Sequence, residues 1–121
     1  MTLFTQSSFD QFVASLAGTS LVDQWDSRVA KVGDKVFTLL HADSDGARIV
    51  VKCPEETFEI LTALEGISQA PYFAKRRWVA ISEKSPLSAD ELHLYIKRSY
   101  NEVAAALTKK LRVELGITPV S

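Results

Sequence analysis

The sequence predicts an α+β domain in which helices pack on one face of an antiparallel sheet. Strand-like segments follow one another through short turns, and strands joined in that way run antiparallel. Apolar residues recur at helical spacing near both ends of the chain. A sheet with a single apolar face needs a cover, which these helices can provide. The chain has 121 residues without an internal repeat or a Pro/Gly-rich linker, so we expect one domain over residues 1–121.

The first predicted element is a helix. Ser7 or Ser8 can cap it, because a hydroxyl oxygen accepts a hydrogen bond from a free backbone N–H of the first turn. Gly18 supplies a stop. The apolar side of this helix consists of Phe9, Phe12, Val13 and Leu16.

Three or four strands are predicted between residues 20 and 53. Residues 20–25 look extended, and two strand-like runs then flank Gly33-Asp34, a two-residue hairpin signal. A second turn at 43–46 leads into ARIVVKC, residues 47–53. Consecutive antiparallel strands are the simplest interpretation.

A second helix and a further strand follow. Pro54 suits the first turn of a helix, where Glu55 and Glu56 interact favourably with the helix dipole, and Gly66 ends it. The run RRWVAI, residues 76–81, is typical of a strand. Alternation then predicts that Val79 and Ile81 point into the core, with Trp78 on the other face.

The last predicted element is a long helix. Ser88 and Glu91 have the spacing of a capping box. The apolar stripe predicted for this helix consists of Leu92, Ile96, Ser99, Val103 and Leu107. We expect the helix to continue to Leu115, with Gly116 as the stop.

Charge is unevenly distributed along a chain whose net charge is −1. Residues 1–74 have five Lys or Arg and ten Asp or Glu, whereas residues 75–121 have nine and five. Such asymmetry can produce a basic face on a nearly neutral protein. No apolar run is long enough for a membrane span, and the N-terminal residues lack a signal-peptide pattern. With a single cysteine, Cys53, a reducing cytoplasm is the expected location and no membrane association is expected.

Several segments in order resemble the MmcQ/YjbR-like proteins, small bacterial domains. The resembling segments are residues 31–37 (KVGDKVF), 51–56 (VKCPEE), 70–72 (APY), 75–79 (KRRWV), 99–100 (SY) and 107–110 (LTKK). The resemblance extends from about Trp25 to Arg112. It implies a frataxin (CyaY)-like two-layer sandwich and carries the DNA-binding label of that family. Iron binding in frataxin-like proteins depends on an acidic first helix, and Asp10 is the one carboxylate offered here, so no metal and no other cofactor is expected.

A basic run that leads into an aromatic residue is the candidate nucleic-acid-binding site. An arginine beside an exposed ring can contact phosphate while the ring stacks on a base, a combination used by single-strand binders. The candidate residues are Lys75, Arg76, Arg77 and Trp78, joined by Lys109, Lys110 and Arg112 if the last helix passes nearby. Pro71 and Tyr72 form a stiff loop directly before this run and are candidate ligand contacts.

Catalytic residues are not predicted. His41, His93 and Cys53 lack the spacing of a zinc site, and neither a phosphate-binding glycine loop nor a nucleophile elbow occurs. Cys53 stands at a strand-to-helix junction, where a helix N-terminus can lower a thiol pKa, but free cysteine is also a common core residue. Cys53 together with His41 is therefore the one feature of the sequence that would suit an enzyme.

Two functions remain open. The first is a weak, salt-dependent DNA-binding module that uses the basic run. The alternative is a protein-interaction or small-ligand-binding domain with no nucleic-acid role, which the near-neutral charge favours. The sequence leaves open the partner protein, the oligomeric state and any DNA sequence preference.

Overall fold

The computed structural model describes residues 3–44, 46–70 and 77–117, which form four helices and six strands. In chain order they are α1 Gln6–Ala14, β1 Thr19–Gln24, β2 Ser27–Val32, β3 Lys35–Asp43, β4 Gly46–Lys52, α2 Glu55–Thr62, β5 Ile67–Gln69, β6 Trp78–Ser82, α3 Ala89–Ala105 and α4 Lys109–Glu114. All strand pairs are antiparallel, in the order β1-β2-β3-β4-β6-β5. The α+β class is confirmed. None of the helices in this described part is long and apolar enough to cross a bilayer.

Two local signals from the sequence are confirmed. Gly33 and Asp34 both have positive φ, 55° and 65°, as a tight hairpin between β2 and β3 requires. Ser88 caps α3: its side chain accepts a hydrogen bond from the Glu91 N–H, and the Glu91 carboxylate accepts one from the Ser88 N–H. Both signals depend on residues close in sequence, so no tertiary contact was needed to predict them.

The structure differs from the prediction at several points. Helix α1 begins at Gln6 after Thr5, so Ser7 and Ser8 lie inside the helix and do not cap it. The short edge strand β5 was not predicted, since three residues are too few for a periodicity. The final helix does not reach Leu115: α3 ends at Ala105, and α4 begins after Thr108, whose hydroxyl accepts a hydrogen bond from the Leu111 N–H. This break lets Leu107 and Leu111 pack around Gly33, where a Cβ atom would come within 2.8 Å of Leu107.

The sheet has two different faces. The helix face carries the larger core cluster, which contains every buried hydrophobic residue of α1, α2 and α3. The opposite side, called the second face below, has a smaller cluster with no helix residue among the described ones. That cluster consists of Val29, Leu39, Val50, Ala70 and Ala80, with Val36 and Trp78 packed against it.

A β-bulge in β3 determines which side chains reach each face. Ala30 pairs with Thr38 but Lys31 pairs with Val36, so Phe37 is an extra residue in β3. Phe37 and Leu40 both belong to the core cluster of the helix face. Residues three apart would lie on opposite faces of a regular strand, so the bulge allows both to be buried under the helices.

The buried hydroxyl of Ser99 satisfies the backbone groups that the bulge separates. Its Oγ donates to the Phe37 carbonyl at 2.5 Å and accepts from the Lys52 N–H at 2.8 Å, which joins α3 to β3 and β4. Ser99 is fully buried. Each backbone group would otherwise lack a partner away from water, at a cost of about 1–3 kcal/mol.

We expect Ser99→Ala to lower the free energy of unfolding by about 2–4 kcal/mol, because it leaves two buried backbone groups unpaired. Urea denaturation followed by circular dichroism measures the change. Ser15→Ala is the matched control: its hydroxyl bonds to the Phe12 carbonyl at an exposed position, so a change below about 0.5 kcal/mol is expected. Equal losses in the two variants would contradict the role given to Ser99.

Candidate functional site

Trp78 lies on the second face of the sheet, at the start of β6. The alternation predicted for this strand is confirmed: Val79 and Ile81 are fully buried in the core of the helix face, whereas Trp78 and Ala80 belong to the second-face cluster. Trp78 is only half-buried. The ring is therefore held by packing while part of its surface is accessible.

Lys52 is the direct neighbour of Trp78 on this face. The two residues are paired across β4 and β6, and residues paired in this way have side chains about 5 Å apart at Cβ. Val51 and Cys53, on either side of Lys52, belong to the core of the helix face, which directs the lysine to the second face. The aromatic ring of Trp78 and the side chain of Lys52 are therefore neighbours on the second face.

Lys31 is a second cation on this face. It lies between Ala30 and Val32, both in the core of the helix face, and β2 is two strands away from β4. Within the described residues, no ion pair involves the ammonium group of Lys31 or of Lys52. Neither lysine was predicted as a site residue, although a lone charge between buried neighbours in a strand is a signal that could have found them.

Arg77 is directed towards the helices instead. Its guanidinium forms an ion pair with Glu102 of α3 through Nη2, and its Nε donates to the Cys53 carbonyl at 3.3 Å. The Cys53 N–H in turn donates to the Arg77 carbonyl at 2.8 Å. Arg77 therefore connects the start of β6 to the end of β4 and to α3, which limits its availability for phosphate.

The basic residues of α4 are not brought to Trp78. Lys109 and Lys110 are exposed, and Arg112 donates to the Ala105 carbonyl at the end of α3. Leu107 and Leu111, which flank the start of α4, pack at the Gly33 turn between β2 and β3, and Leu107 belongs to the helix-face core. Trp78 lies on the opposite face and three strands from β2, about 14 Å at the usual strand spacing.

Four other predicted site residues, Lys75, Arg76, Pro71 and Tyr72, lie outside the described residues. Their placement next to Trp78 stays a prediction from the sequence.

A polar cluster occupies the other end of the second face. Ser27 Oγ lies 3.0 Å from His41 Nδ1, and His41 Nε2 lies 3.3 Å from an Asp43 oxygen, which also accepts from Arg48 at 3.2 Å. These contacts join the ends of β2, β3 and β4. Within the described residues, no group of three His, Cys, Asp or Glu side chains is arranged to hold a metal ion.

The β1–β2 turn combines two unfavourable choices. Trp25 and Asp26 have φ values of 55° and 56°, the left-handed region that hairpin turns of this kind usually fill with Asn, Asp or Gly, so Trp25 is the unfavourable residue of the two. A side-chain-bearing residue in that region costs about 1–2 kcal/mol. Trp25 is also 61% exposed, the largest aromatic surface left uncovered in the described chain. These two features make the turn a candidate contact surface.

A cleft of about 580 Å³ opens beside this turn. It lies where the start of α1, the β1–β2 turn and the end of β3 meet. The residues that line it are Phe4, Gln6, Asp23, Gln24, Trp25, Asp26, Ser27, Arg28, Leu40 and Ala42. Its volume is in the range of small-ligand sites.

Comparison with known proteins connects this arrangement to one family. The family model YjbR matches residues 14–102. The chain belongs to the YjbR family. The resemblance found in the sequence is confirmed, and the matched range contains both tryptophans, Lys31 and Lys52, but ends before α4.

Solved structures support the fold of this YjbR-family chain. A crystal structure of the Deinococcus radiodurans protein DR2400, described as a DUF419 domain, has a TM-score of 0.83 and 22% identity over 94% of this chain and 89% of that one. A Pseudomonas syringae protein has a TM-score of 0.66 and 23% identity over 78% of this chain and 95% of that one. Neither description names an enzymatic activity. No curated protein matches the chain.

Cys53 is buried and His93 packs against an aromatic ring in this YjbR-family chain. Cys53 is 3% exposed, and burial raises the pKa of its thiol from 9.0 to about 11; Glu102 adds to the increase and Arg77 opposes it. A raised pKa keeps the thiol neutral, the opposite of an activated nucleophile. The ring of His93 packs on Phe12, with 4.5 Å between the centroids.

The Cys53 thiol of the folded protein is expected to react with a disulfide reagent at pH 8 at least 100-fold more slowly than in urea. Burial restricts access, and the raised pKa leaves little thiolate. Since the folded state disfavours the thiolate, this group also lowers stability as pH rises from about 9 to about 11. Absorbance of the released thiol measures the rate, and a fast native reaction would restore Cys53 as a candidate nucleophile.

Proposed function

We propose that this YjbR-family chain is a non-enzymatic module that binds single-stranded nucleic acid at the end of the second face where Trp78, Lys52 and Lys31 lie. The observation that carries the proposal is the direct pairing of Trp78 with Lys52, on a face where Lys31 also lies. The Lys75–Arg76 segment predicted from the sequence would extend the same interface. We also propose that the protein is located in the cytoplasm, which its single cysteine supports. The proposed classification of the fold as frataxin-like is supported by the antiparallel sheet with helices.

The chemistry of these three residues suits an unpaired strand. Any base has a π-face that can stack on an indole ring, and such stacking contributes about 1–3 kcal/mol per base. Lysines on β2 and β4 stand about 10 Å apart at the usual strand spacing and both lie on the same side of Trp78, so their long side chains can reach phosphates of a strand that runs across the sheet from the stacked base. A base held in a duplex would not expose its π-face in this way, so a single strand is the preferred ligand.

The test is fluorescence anisotropy of a labelled twenty-nucleotide oligo-dT and of a matched duplex, at several salt concentrations. We expect micromolar binding of the single strand at low salt. Lys31→Ala combined with Lys52→Ala should weaken it and lower the slope of log K against log salt by about 1.4, since each phosphate contact contributes about 0.7. The matched control, Lys84→Ala with Lys97→Ala, removes the same charge from exposed positions elsewhere. Equal effects in the two double variants, or no binding at low salt, would overturn the proposal.

Trp78 has a separate test. Trp78→Phe should bind within about threefold of the parent because it retains a ring, whereas Trp78→Leu should bind about 5- to 100-fold more weakly. The thermal unfolding of both variants shows whether they are folded. In a Trp25→Phe background, Trp78 is the remaining indole, and its fluorescence should be quenched on binding. Unchanged fluorescence at saturation would place the nucleic acid elsewhere.

A further inference from the structure

We infer that the cleft beside the β1–β2 turn binds a cationic group, an alkylammonium or guanidinium, between the Trp25 indole and the carboxylates of Asp23 and Asp26. This site lies at the other end of the sheet from Trp78 and is independent of the proposed nucleic-acid interface. Its ligand would be a small amine or a lysine or arginine side chain of a basic peptide, since both present the same charged group.

The charges of the cleft select a cation. Arg28 is the one basic residue in its wall, and that charge is already neutralised: Nε and Nη2 donate to both oxygens of Asp10 at 3.1 Å, and Nη1 donates to Asp23 at 3.2 Å. Asp23 is nevertheless 80% exposed at its side chain, and Asp26 is exposed as well. The three carboxylates of Asp10, Asp23 and Asp26 thus stand against the single guanidinium of Arg28, which leaves the cleft with an excess of negative charge.

The aromatic and apolar walls complete the site. Trp25 lines the cleft and is 61% exposed, and indole is the aromatic ring that interacts most strongly with cations. Phe4 and Leu40 provide apolar surface for the methylene stem that carries an ammonium or a guanidinium. The ring, the carboxylates and the apolar floor are thus together in one concave site of suitable volume.

The unusual backbone of the turn is explained by this arrangement. Positive φ at Trp25 and Asp26 places an indole and a carboxylate together at the tip of a two-residue turn. Asn-Gly would form the same turn more favourably but would carry neither the ring nor the charge. Trp25 is therefore an unfavourable turn residue at one of the two positions that the cation would contact.

The experiment is a titration of the full chain followed by ¹H–¹⁵N correlation spectra. The probes are n-butylammonium, ethylguanidinium, a trilysine peptide with blocked ends, and acetate as an anionic control. We expect the cations to shift the resonances of the β1–β2 turn and of the Trp25 indole N–H, and acetate to leave them unchanged. If trilysine binds at least tenfold more tightly than butylammonium, the cationic group belongs to a peptide. If the two affinities are similar, the ligand is a small amine.

Two sets of variants separate this site from general charge attraction. Asp23→Asn with Asp26→Asn keeps hydrogen-bond acceptors and suits positive φ, so the fold should persist while cation affinity falls at least fivefold. Glu65→Gln with Glu114→Gln removes the same charge at exposed positions elsewhere and should leave affinity unchanged. Trp25→Phe should retain more affinity than Trp25→Leu if a ring face contacts the cation. Equal weakening by both double variants, shifts confined to other parts of the sheet, or no cation binding would overturn the inference.

Discussion

The hydrogen bonds of Ser99 are the interaction on which the two faces of this sheet depend. By bridging Phe37 and Lys52, the hydroxyl makes the β-bulge in β3 possible without leaving backbone groups unpaired. The bulge then sends Phe37 and Leu40 into the core and Leu39 to the second face. The same bond holds the backbone of Lys52, so a core serine in α3 fixes the position of a candidate contact residue on the opposite side of the sheet.

Acidic and basic side chains are separated between the two ends of the sheet, and this separation does not follow the two halves of the sequence. At the turn end, Arg28 and Arg48 are both paired with aspartates, and Asp26 adds further negative charge. At the other end, Lys31 and Lys52 lack ion pairs within the described residues. These two lysines come from the half of the chain that carries the acidic excess, so a count along the sequence could not have found the basic end.

Much of the fold could be predicted from the sequence because its signals are local. The Gly33-Asp34 turn, the capping box of α3 and the alternation of β6 each involve residues within a few positions of one another. The bulge in β3 depends on packing between distant segments, which no local pattern shows. The start of α4, in contrast, has a local signal in the Thr108 cap, which the sequence prediction missed. The candidate site shows the same division: Trp78 followed from alternation, whereas the engagement of Arg77 by Glu102 joins residues 25 positions apart in the chain.

The two tryptophans stand at opposite ends of the sheet, and this separation bears on how the domain could work. Trp25 contributes to a cleft whose carboxylates favour cations, and Trp78 lies beside lysines that favour anions. Strand length and strand spacing place them about 20 Å apart, which exceeds the screening length of about 8 Å at physiological salt. Ligands at the two ends should therefore neither compete for space nor influence one another strongly through charge. A domain of this kind could therefore hold an anionic nucleic acid at one end and a basic partner at the other at the same time.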